Sequence, residues 1–413
     1  LANKKAIRHE DYNAVFWFSS LAGLTLYLLL SLSAPLIARF YNTPELEALS
    51  RYSFLGFFIS SLGTAQSAYM FRNLMVKQRA VSMFAGLVIS GTVGVVLALN
   101  GFAYWGIATQ NIVYVASVTA LYWHFSPWRP SFRIDFSPLK GMLSFSSRLL
   151  ITNIFGHINY NILSVVLGKF YSEKEVGDFN QANKWNYMGY SVITGMINGV
   201  AQPILAKVAD EKERQKRVFR KMLRFTSFLA FPSLFGLSLI ATELITIAIT
   251  SKWAESSHIL QMLCIGSAFT SLVGLYSNLV ISKGKSHIFM WNTIIQGMVQ
   301  VAAMIACHPY GIPVMIRCYI GINILWLFVW QYFVWKEIRL NLFEALADIL
   351  PFCLTAGGTM LLTGFLVGLC TENIYLTLLL KILFAAAIYT SVMWASGSVT
   401  FKESIQYLIK KKK

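Results

Sequence analysis

Long apolar stretches alternate with short polar gaps along this chain, and the pattern predicts about twelve membrane-spanning helices. About 20 apolar residues cross the hydrocarbon core of a bilayer. Lipid offers no partner to backbone N–H and C=O groups, so each span must be a helix. The predicted spans are 13–38, 49–70, 80–99, 103–123, 142–167, 177–203, 223–248, 258–281, 288–307, 312–335, 345–369 and 374–397.

Basic residues are concentrated in every second gap and at both ends, which hold 26 of the 35 Lys and Arg residues. Cytoplasmic loops retain Lys and Arg, so the pattern predicts a protein of the bacterial inner (plasma) membrane with both ends in the cytoplasm. The most basic gap, 207–224, is predicted to be a helix that lies on the membrane surface and anchors the topology.

Composition supports a membrane protein and argues against other classes. A hydrophobic fraction of 56%, a mean hydropathy of +0.57 and a charged fraction of 13% exclude an ordinary soluble domain. The net charge of +17 does not indicate nucleic-acid binding, because the basic residues lie in short loops beside apolar spans. The chain has no ATP-binding loop and no hydrolase motif, so we predict neither an enzyme nor a cofactor.

The five cysteines have no metal-site spacing and are interpreted as small packing residues, so no metal site is predicted. They are Cys264, Cys307, Cys318, Cys353 and Cys370.

A faint repeat predicts two pseudo-symmetric lobes. A shift of 210 residues aligns one set of four residues with another, and this period corresponds to six helices. The first set is Glu45, Gly56, Ser61 and Leu62, and the second is Glu255, Gly266, Ser271 and Leu272. The predicted divisions are an N-lobe of four helices (1–124), a proline-rich cytoplasmic linker (125–141), a C-lobe of six helices (142–336), and two extra helices with a basic tail (337–413).

The start of the chain is interpreted as a truncation. The chain begins at Leu1, its first 13 residues are polar and basic, and no signal peptide is visible. If the six-helix period is real, two helices of the N-lobe precede residue 1, and the twelve spans belong to an original fourteen.

The sixth predicted span carries a polar stripe along its full length. Its members fall within roughly 40° of one line at 100° per residue. They are Asn180, Lys184, Tyr187, Ser191, Thr194, Asn198 and Gln202, with Asn183 beside them. Hydrogen bonding between helices is one explanation. A hydrated cavity is the interpretation that we favour, because a lysine and several amides share the stripe.

The fifth predicted span is polar on two faces, and the sequence leaves open which face lines a cavity. One face carries Arg148, Thr152 and Asn159. The other carries Ser146, Asn153, His157, Tyr160, Asn161 and Ser164. Arg148 has a second interpretation, in which it extends to the cytoplasmic surface. For His157, a hydrogen-bonded helix contact is favoured over a proton carrier.

Other charged residues in or near the spans have simpler interpretations. Arg51 lies four residues after Glu47, which predicts an ion pair within one helix. Glu243, Arg317 and Lys381 are each predicted to extend their charge to the membrane surface.

One segment resembles a known family. The stretch Gly168-Lys-Phe-Tyr-Ser-Glu-Lys-Glu-Val-Gly177-Asp-Phe-Asn180-Gln-Ala182 is similar to the G-x-x-x-S-x-x-x-x-G-x-[YF]-N-x-A pattern of Wzx-type polysaccharide flippases. These lipopolysaccharide, O-antigen and colanic-acid exporters belong to the multidrug/oligosaccharidyl-lipid/polysaccharide superfamily. Residues 33–46 and the basic run 217–224 add to the resemblance, which covers essentially the whole chain.

The resemblance implies an all-α integral membrane protein with two lobes around a central cavity. It also implies alternating access and an oligosaccharide on undecaprenyl pyrophosphate as cargo. Arg148 and Lys184 would then pair with the pyrophosphate. Tyr187 would stack on a sugar ring. The residues expected to hydrogen-bond sugar hydroxyls are Asn153, Asn180, Asn183, Asn198 and Gln202. The expected partners are this lipid-linked substrate, membrane lipids and the polysaccharide polymerase machinery.

Two alternatives remain open at this stage. A multidrug or cation antiporter of the same superfamily would have a more apolar cavity with a buried acidic residue. An integral-membrane polysaccharide polymerase or ligase would carry a larger outer loop with catalytic residues, and no gap in this sequence is long enough for one.

Overall fold

A computed structural model of the chain describes residues 8–73, 75–370 and 373–410, and their regular secondary structure is entirely helical. The α-helices of these ranges are α1 His9–Tyr41, α2 Glu45–Ser61, α3 Thr64–Arg72, α4 Val76–Leu99, α5 Ala103–Phe125, α6 Lys140–Phe170, α7 Glu173–Lys207, α8 Lys212–Leu239, α9 Ala241–Ile249, α10 Ala254–Ser282, α11 Ser286–Cys307, α12 Ile312–Ile338, α13 Leu342–Gly368, α14 Ile374–Ala395 and α15 Val399–Lys410.

Each of the twelve predicted spans falls on a helix or on a pair of consecutive helices. Within the described ranges, eight helical segments are long and apolar enough to cross a membrane by length and composition. They contain α1, α4, α8, α10, α11, α12, α13 and α14. The predicted all-α membrane architecture is therefore confirmed, while the count of twelve crossings stays a prediction.

Two predicted spans are each divided between two helices. The span 49–70 is interrupted at Leu62 and Gly63, between α2 and α3, and the span 223–248 is interrupted at Ile240, between α8 and α9. A helix end leaves backbone carbonyls without a partner in the helix. At the second break Lys381 Nζ donates to the Leu239 carbonyl at 3.1 Å, so a side chain from α14 stabilises the interruption.

The basic segment is not a separate surface helix, so that prediction was wrong. α7 ends at Lys207, a short turn follows, and α8 continues without a break from Lys212 into its apolar half. The turn is fixed by side chains: Gln215 Nε2 donates to the Leu205 carbonyl at 3.0 Å, and Lys283 Nζ donates to the Ala209 carbonyl. The basic half of α8 is therefore a rigid extension of an apolar helix.

The chain forms two compact units, residues 1–151 (unit 1) and 152–413 (unit 2). In unit 1, α1 packs on α2 and α4 packs on α5. Small residues permit these close contacts: a Cβ atom at Gly23 would lie 2.4 Å from Ser61 Oγ, and one at Gly86 would lie 2.6 Å from Val118 Cγ2. Close backbone approach at glycine is a common way to pack helices that lipid does not push together.

The segment predicted to be a linker is fixed to α1 over residues 126–136. Asn13 Nδ2 donates to the Arg133 carbonyl at 2.6 Å, and Asn13 Oδ1 accepts from the Ser131 N–H at 2.9 Å. Trp17 Nε1 donates to the Ser131 carbonyl at 2.8 Å. Its prolines prevent a continuous helix, so its backbone groups bond to side chains of α1 instead. Whether the two units correspond to the predicted lobes stays a prediction.

Unit 2 is built around α10, which packs on α7, α8 and α12. Two apolar clusters fill it, one including Phe219, Phe231 and Trp330, the other including Leu260 and Met315. α13 lies against α8, and α14 lies against α13. α11 makes most of its contacts with α12.

Ion pairs join helices of unit 2. Arg220 of α8 holds Asp348 of α13 through two hydrogen bonds of 2.6 and 3.1 Å. Lys381 of α14 contacts Glu243 of α9 at 2.7 Å, and the Glu243 side chain is only 10% exposed. The prediction that Glu243 and Lys381 extend separately to the surface was therefore wrong, because each neutralises the other inside the unit. The predicted pair of Glu47 and Arg51 is confirmed at 2.9 Å.

Candidate functional site

The segment that resembles the flippase family forms the beginning of α7. Ser172 is the N-cap: its hydroxyl accepts from the Glu175 N–H at 3.4 Å, and the Glu175 carboxylate accepts from the Ser172 N–H at 3.0 Å. Ser172 Oγ also donates to the Glu175 carboxylate at 2.7 Å. This bond, together with the one from the Ser172 N–H, lowers the pKa of Glu175, because both stabilise its ionised form. A capping box of this kind fixes where a helix starts, and hence which residues share a face along it.

Two other residues of the segment anchor α7 in unit 2. Asp178 accepts a 2.9 Å hydrogen bond from Ser256 of α10, and Ala182 is fully buried. The motif therefore positions the helix that carries the candidate binding residues.

The predicted polar stripe lies on the accessible side of α7. Asn180, Lys184 and Tyr187 are exposed in the chain, whereas Ser191 and Thr194 are half-buried and bond to carbonyls of their own helix. Asn180 Oδ1 accepts from Ser164 Oγ of α6 at 3.0 Å. No ion pair of Lys184 occurs within the described parts of the chain. The ammonium of Lys184 is therefore available to an anion.

A pocket lined by both apolar and polar side chains, here called the polar pocket for its amides and hydroxyls, opens beside the stripe, roughly 80° around α7 from its centre line. Its volume is about 80 Å³, which is enough for roughly five to eight waters. The lining side chains come mainly from α7, α10 and α12. They are Leu163, Phe179, Asn183, Asn186, Tyr187, Tyr190, Leu263, Ser267, Thr270, Tyr319, Ile320 and Asn323, with Gly266. Asn183 and Tyr187 were predicted site residues, and the pocket brings them together.

An amide cluster on α11 and α12 orients one wall of the pocket. Asn323 Oδ1 accepts from Gln296 Nε2 at 2.8 Å and from Gln300 Nε2 at 3.0 Å. Asn323 Nδ2 donates to the Tyr319 carbonyl at 3.0 Å. With both lone pairs of its oxygen occupied, Asn323 has one orientation. This wall of the pocket is therefore preorganised.

Two buried carbonyl oxygens at and behind the pocket have no partner within the described residues. They are Oδ1 of Asn186, which lines the pocket, and Oε1 of Gln300, one hydrogen bond behind Asn323. A buried acceptor without a donor is costly, so such groups normally bind water or a ligand. The pocket thus favours a ligand that offers hydroxyl donors.

Three predicted site residues that the structure describes, His157, Asn180 and Lys184, are not among the residues that line this pocket. His157 is exposed on α6 and does not line it. The side chains of Arg148, Asn153, Asn198 and Gln202 lie outside the described residues, so their roles stay predictions. Asn159 of α6 has a structural contact, since its Nδ2 donates to the Thr293 carbonyl of α11 at 2.6 Å.

Sequence reasoning missed most of the pocket lining, although a signal was present. Ser267 and Thr270 are three residues apart, and Tyr319 and Asn323 are four apart, so each pair shares a helix face. Gln296 and Gln300 are also four residues apart and share a face of α11. The signal is weak on each helix, and only the packing of α7 against α10 and α12 shows that these faces meet.

Comparison with known proteins identifies the family. A family described as "Polysaccharide biosynthesis protein" matches residues 1–258. This range is more than half of the chain, and it includes the capping motif of α7 and the whole polar stripe. The chain belongs to this family. The resemblance to Wzx-type exporters that was based on residues 168–182 is thereby confirmed.

Curated relatives have names from surface polysaccharide synthesis. The chain is 24% identical over 373 residues to "Teichuronic acid biosynthesis protein TuaB" of Bacillus subtilis, covering 88% of this chain and 76% of the relative. It is 23% identical to "Lipopolysaccharide biosynthesis protein WzxC" of Escherichia coli, covering 70% and 59%. It is 21% identical to "Succinoglycan biosynthesis transport protein ExoT" of Rhizobium meliloti, covering 71% and 60%. The chain thus spans about three-fifths of the length of the last two.

A solved structure has the same fold. "Lipid II flippase MurJ, inward closed conformation" matches with a TM-score of 0.72 and 16% identity, over 96% of this chain and 85% of that one. At this identity the match establishes the fold, and the predicted all-helical membrane architecture is consistent with it.

Proposed function

We propose that this protein is a flippase that moves a lipid-linked oligosaccharide, carried on undecaprenyl pyrophosphate, across the membrane by alternating access for surface polysaccharide synthesis. A pyrophosphate that carries sugars cannot cross hydrocarbon without shelter, whereas its polyprenyl tail is stable there. A polar surface inside a membrane protein supplies that shelter, and no chemical step is needed. The protein is a transporter in this proposal, and names of the relatives TuaB, WzxC and ExoT support the substrate class.

The observation that carries the proposal is the combination of groups on α7. One side of this helix presents an exposed Lys184 without an ion-pair partner among the described residues, and the adjoining side forms the polar pocket with Asn183 and Asn186. A lysine suits a phosphate, and amides with tyrosines suit sugar hydroxyls and rings. Both chemistries of the cargo therefore have a counterpart on one helix.

Replacement of Lys184 tests the proposal. Lys184→Ala should abolish surface polysaccharide while the protein remains in the membrane at its normal level, because the pyrophosphate would lose its charged contact. The measurement is surface polysaccharide in a strain that depends on this gene, together with immunoblotting of the membrane fraction.

Lys174→Ala is a matched control, because Lys174 is exposed on the first turn of the same helix, away from the stripe. This variant should export normally. Normal surface polysaccharide in Lys184→Ala would contradict the assignment of Lys184, and normal surface polysaccharide after deletion of the gene would contradict the proposed function.

The finer placement of the protein is part of the proposal. The charge pattern supports the bacterial inner membrane, with both ends in the cytoplasm. The two lobes, with 125–141 between them, would move relative to each other during alternating access. Arg148 would join Lys184 in binding the pyrophosphate, and the polymerase machinery would act next on the cargo. Reporter fusions to the C-terminus and to the 307–312 gap test the orientation.

A cation or drug antiporter of the same fold is less well supported. That alternative predicts a buried acidic residue in the binding pocket, and the described side chains that line the polar pocket include no carboxylate. Two buried acids of unit 2 have partners elsewhere: Asp178 accepts from Ser256, and Glu243 accepts from Lys381. Drug accumulation assays in a deletion strain distinguish the two functions.

A further inference from the structure

Two cysteines lie face to face at the turn between α11 and α12. Cys307 ends α11, Cys318 lies in the second turn of α12, and their sulfur atoms are 3.3 Å apart. Both side chains are partly accessible. A disulfide requires about 2.05 Å between the sulfurs, and these two sulfurs are already in direct contact. We propose that Cys307 and Cys318 form a disulfide that joins α11 to α12.

The location of this turn favours oxidation. No Lys or Arg occurs between Lys285 and Arg317, whereas the gaps on either side are basic. The turn therefore lies on the non-cytoplasmic face in the topology proposed above, on which this inference rests. Thiols on that face of a bacterial membrane meet an oxidising environment. Among the described residues, no second cysteine contacts the other three: Cys264 is buried, Cys353 is half-buried, and Cys370 is exposed and donates to the Leu366 carbonyl.

The chemistry is thiol–disulfide exchange with an extracytoplasmic dithiol oxidase. The Cys307 thiolate, next to the open turn, attacks one sulfur of the oxidase disulfide and releases the first oxidase thiolate. The Cys318 thiolate then attacks the Cys307 sulfur of this mixed disulfide and releases the second. Two cysteine thiols lose two electrons and two protons, and the oxidase disulfide becomes a dithiol.

The bond has a structural consequence for the polar pocket. α11 contacts the unit mainly through α12, and its buried side chains are few and mostly polar or small: Asn292, Gln300 and Met304, with Gly297. This helix nevertheless supplies Gln296 and Gln300, which orient Asn323 in the pocket wall. A covalent link at one end of the pair fixes the register that these hydrogen bonds require.

Alkylation and peptide mapping test the inference on the full-length protein. Cells are quenched in acid, and the protein is denatured and treated with N-ethylmaleimide before purification. Three of its five cysteines should react without reductant, and all five after reduction. Trypsin cleaves after Lys285, Arg317 and Lys336, so the unreduced digest should contain peptide 286–317 linked to peptide 318–336.

Variants and controls complete the test. In Cys307→Ser and in Cys318→Ser the four remaining cysteines should all react, whereas Cys370→Ser should retain the protected pair. Reductant should lower the melting temperature of the native protein by about 3–5 °C and leave that of Cys307→Ser unchanged. Deletion of the dithiol oxidase should remove the linked peptide.

Alkylation of all five cysteines without reductant would overturn the inference. A linked peptide that persists in a strain without the oxidase would overturn only the proposed route of oxidation. The mapping does not depend on transport. A missing disulfide with normal polysaccharide export overturns only the link, and a disulfide in a protein that exports nothing overturns only the proposed function.

Discussion

The two units of the molecule are held together by different interactions. In unit 1, helices approach closely at glycines such as Gly23 and Gly86, and aromatic rings from α1, α3 and the 126–136 segment pack together. In unit 2, large apolar clusters are combined with ion pairs between helices, including Arg220–Asp348 and Lys381–Glu243. A larger side chain at one of these glycines should therefore destabilise unit 1, whereas removal of one partner of an ion pair should destabilise unit 2.

The difference also concerns function. Ion pairs satisfy some charged groups of unit 2, but the amides around its pocket include two oxygens that have no donor among the described residues. Lys184 stands outside the ion-pair network of the described residues. The groups of unit 2 that are not needed for packing are thus the ones available to a polar ligand.

The largest loss of stability is expected in unit 2, from Asp348→Ala. The Asp348 side chain is 4% exposed, and Arg220 and Arg224 both contact it. Its loss removes the recorded carboxylate partner of Arg224 and leaves Arg220 with Glu344 at 3.5 Å, which should lower the free energy of unfolding by about 3 kcal/mol. Thermal unfolding in detergent, followed by tryptophan fluorescence, measures this. An unchanged melting temperature would show that the α8–α13 ion pairs do not stabilise unit 2.

A somewhat smaller effect is expected in unit 1 from Gly86→Val. The added side chain would overlap with Val118 of α5, since a Cβ atom alone would lie 2.6 Å from its Cγ2 atom. Overpacking of this kind should lower the free energy of unfolding by about 2 kcal/mol. Gly91→Val on the same helix is the matched control, because nothing lies within 4 Å of a Cβ atom there. Equal melting temperatures of the two variants would refute close packing of α4 on α5.

A third prediction concerns the N-cap of α7. Ser172→Ala should lower the free energy of unfolding by about 1 kcal/mol. The pKa of Glu175 lies below its ordinary value of 4.5 because Ser172 bonds to the carboxylate. A carboxyl group whose pKa is lower in the folded protein than in the unfolded chain stabilises the fold at pH values above the unfolded-state pKa. That stabilisation is lost as the pH falls through the folded-state pKa. The difference between wild type and Ser172→Ala should therefore shrink as the pH falls below the ordinary value of 4.5. A pH-independent difference in melting temperature would contradict this cap.

The smallest effect is expected from Lys221→Met, a control for the first prediction. Lys221 contacts Glu403 of α15 at 2.7 Å, but the two side chains are 68% and 50% exposed. Exposed pairs contribute about 0.2–1 kcal/mol, and salt screens them. The variant should unfold within about 1 kcal/mol of wild type, again by thermal unfolding. A loss of stability as large as that of Asp348→Ala would mean that burial does not determine how much an ion pair contributes to the free energy of unfolding.

The sequence predicted helices well because each span is a local property. Twenty apolar residues need no distant partner to indicate a helix, and the capping pair of Ser172 and Glu175 lies within four residues. The same logic found the stripe of α7, since its period belongs to one helix. It failed for Glu243 and Lys381, which are 138 residues apart and meet only in the folded unit.

The sequence by itself determined that this chain is a helical membrane protein, which gaps between the spans are basic, which family it belongs to, and where the polar stripe of α7 lies. Only the tertiary structure decided that the pocket lies to one side of the predicted stripe, with walls from α10 and α12, and that two cysteines meet at a turn. The physical reason is the distance along the chain over which each interaction acts. Hydropathy, charge and helix caps act between neighbours in the chain, whereas a pocket is formed where faces of separate helices pack, and each face alone carries too few polar residues to show its partner.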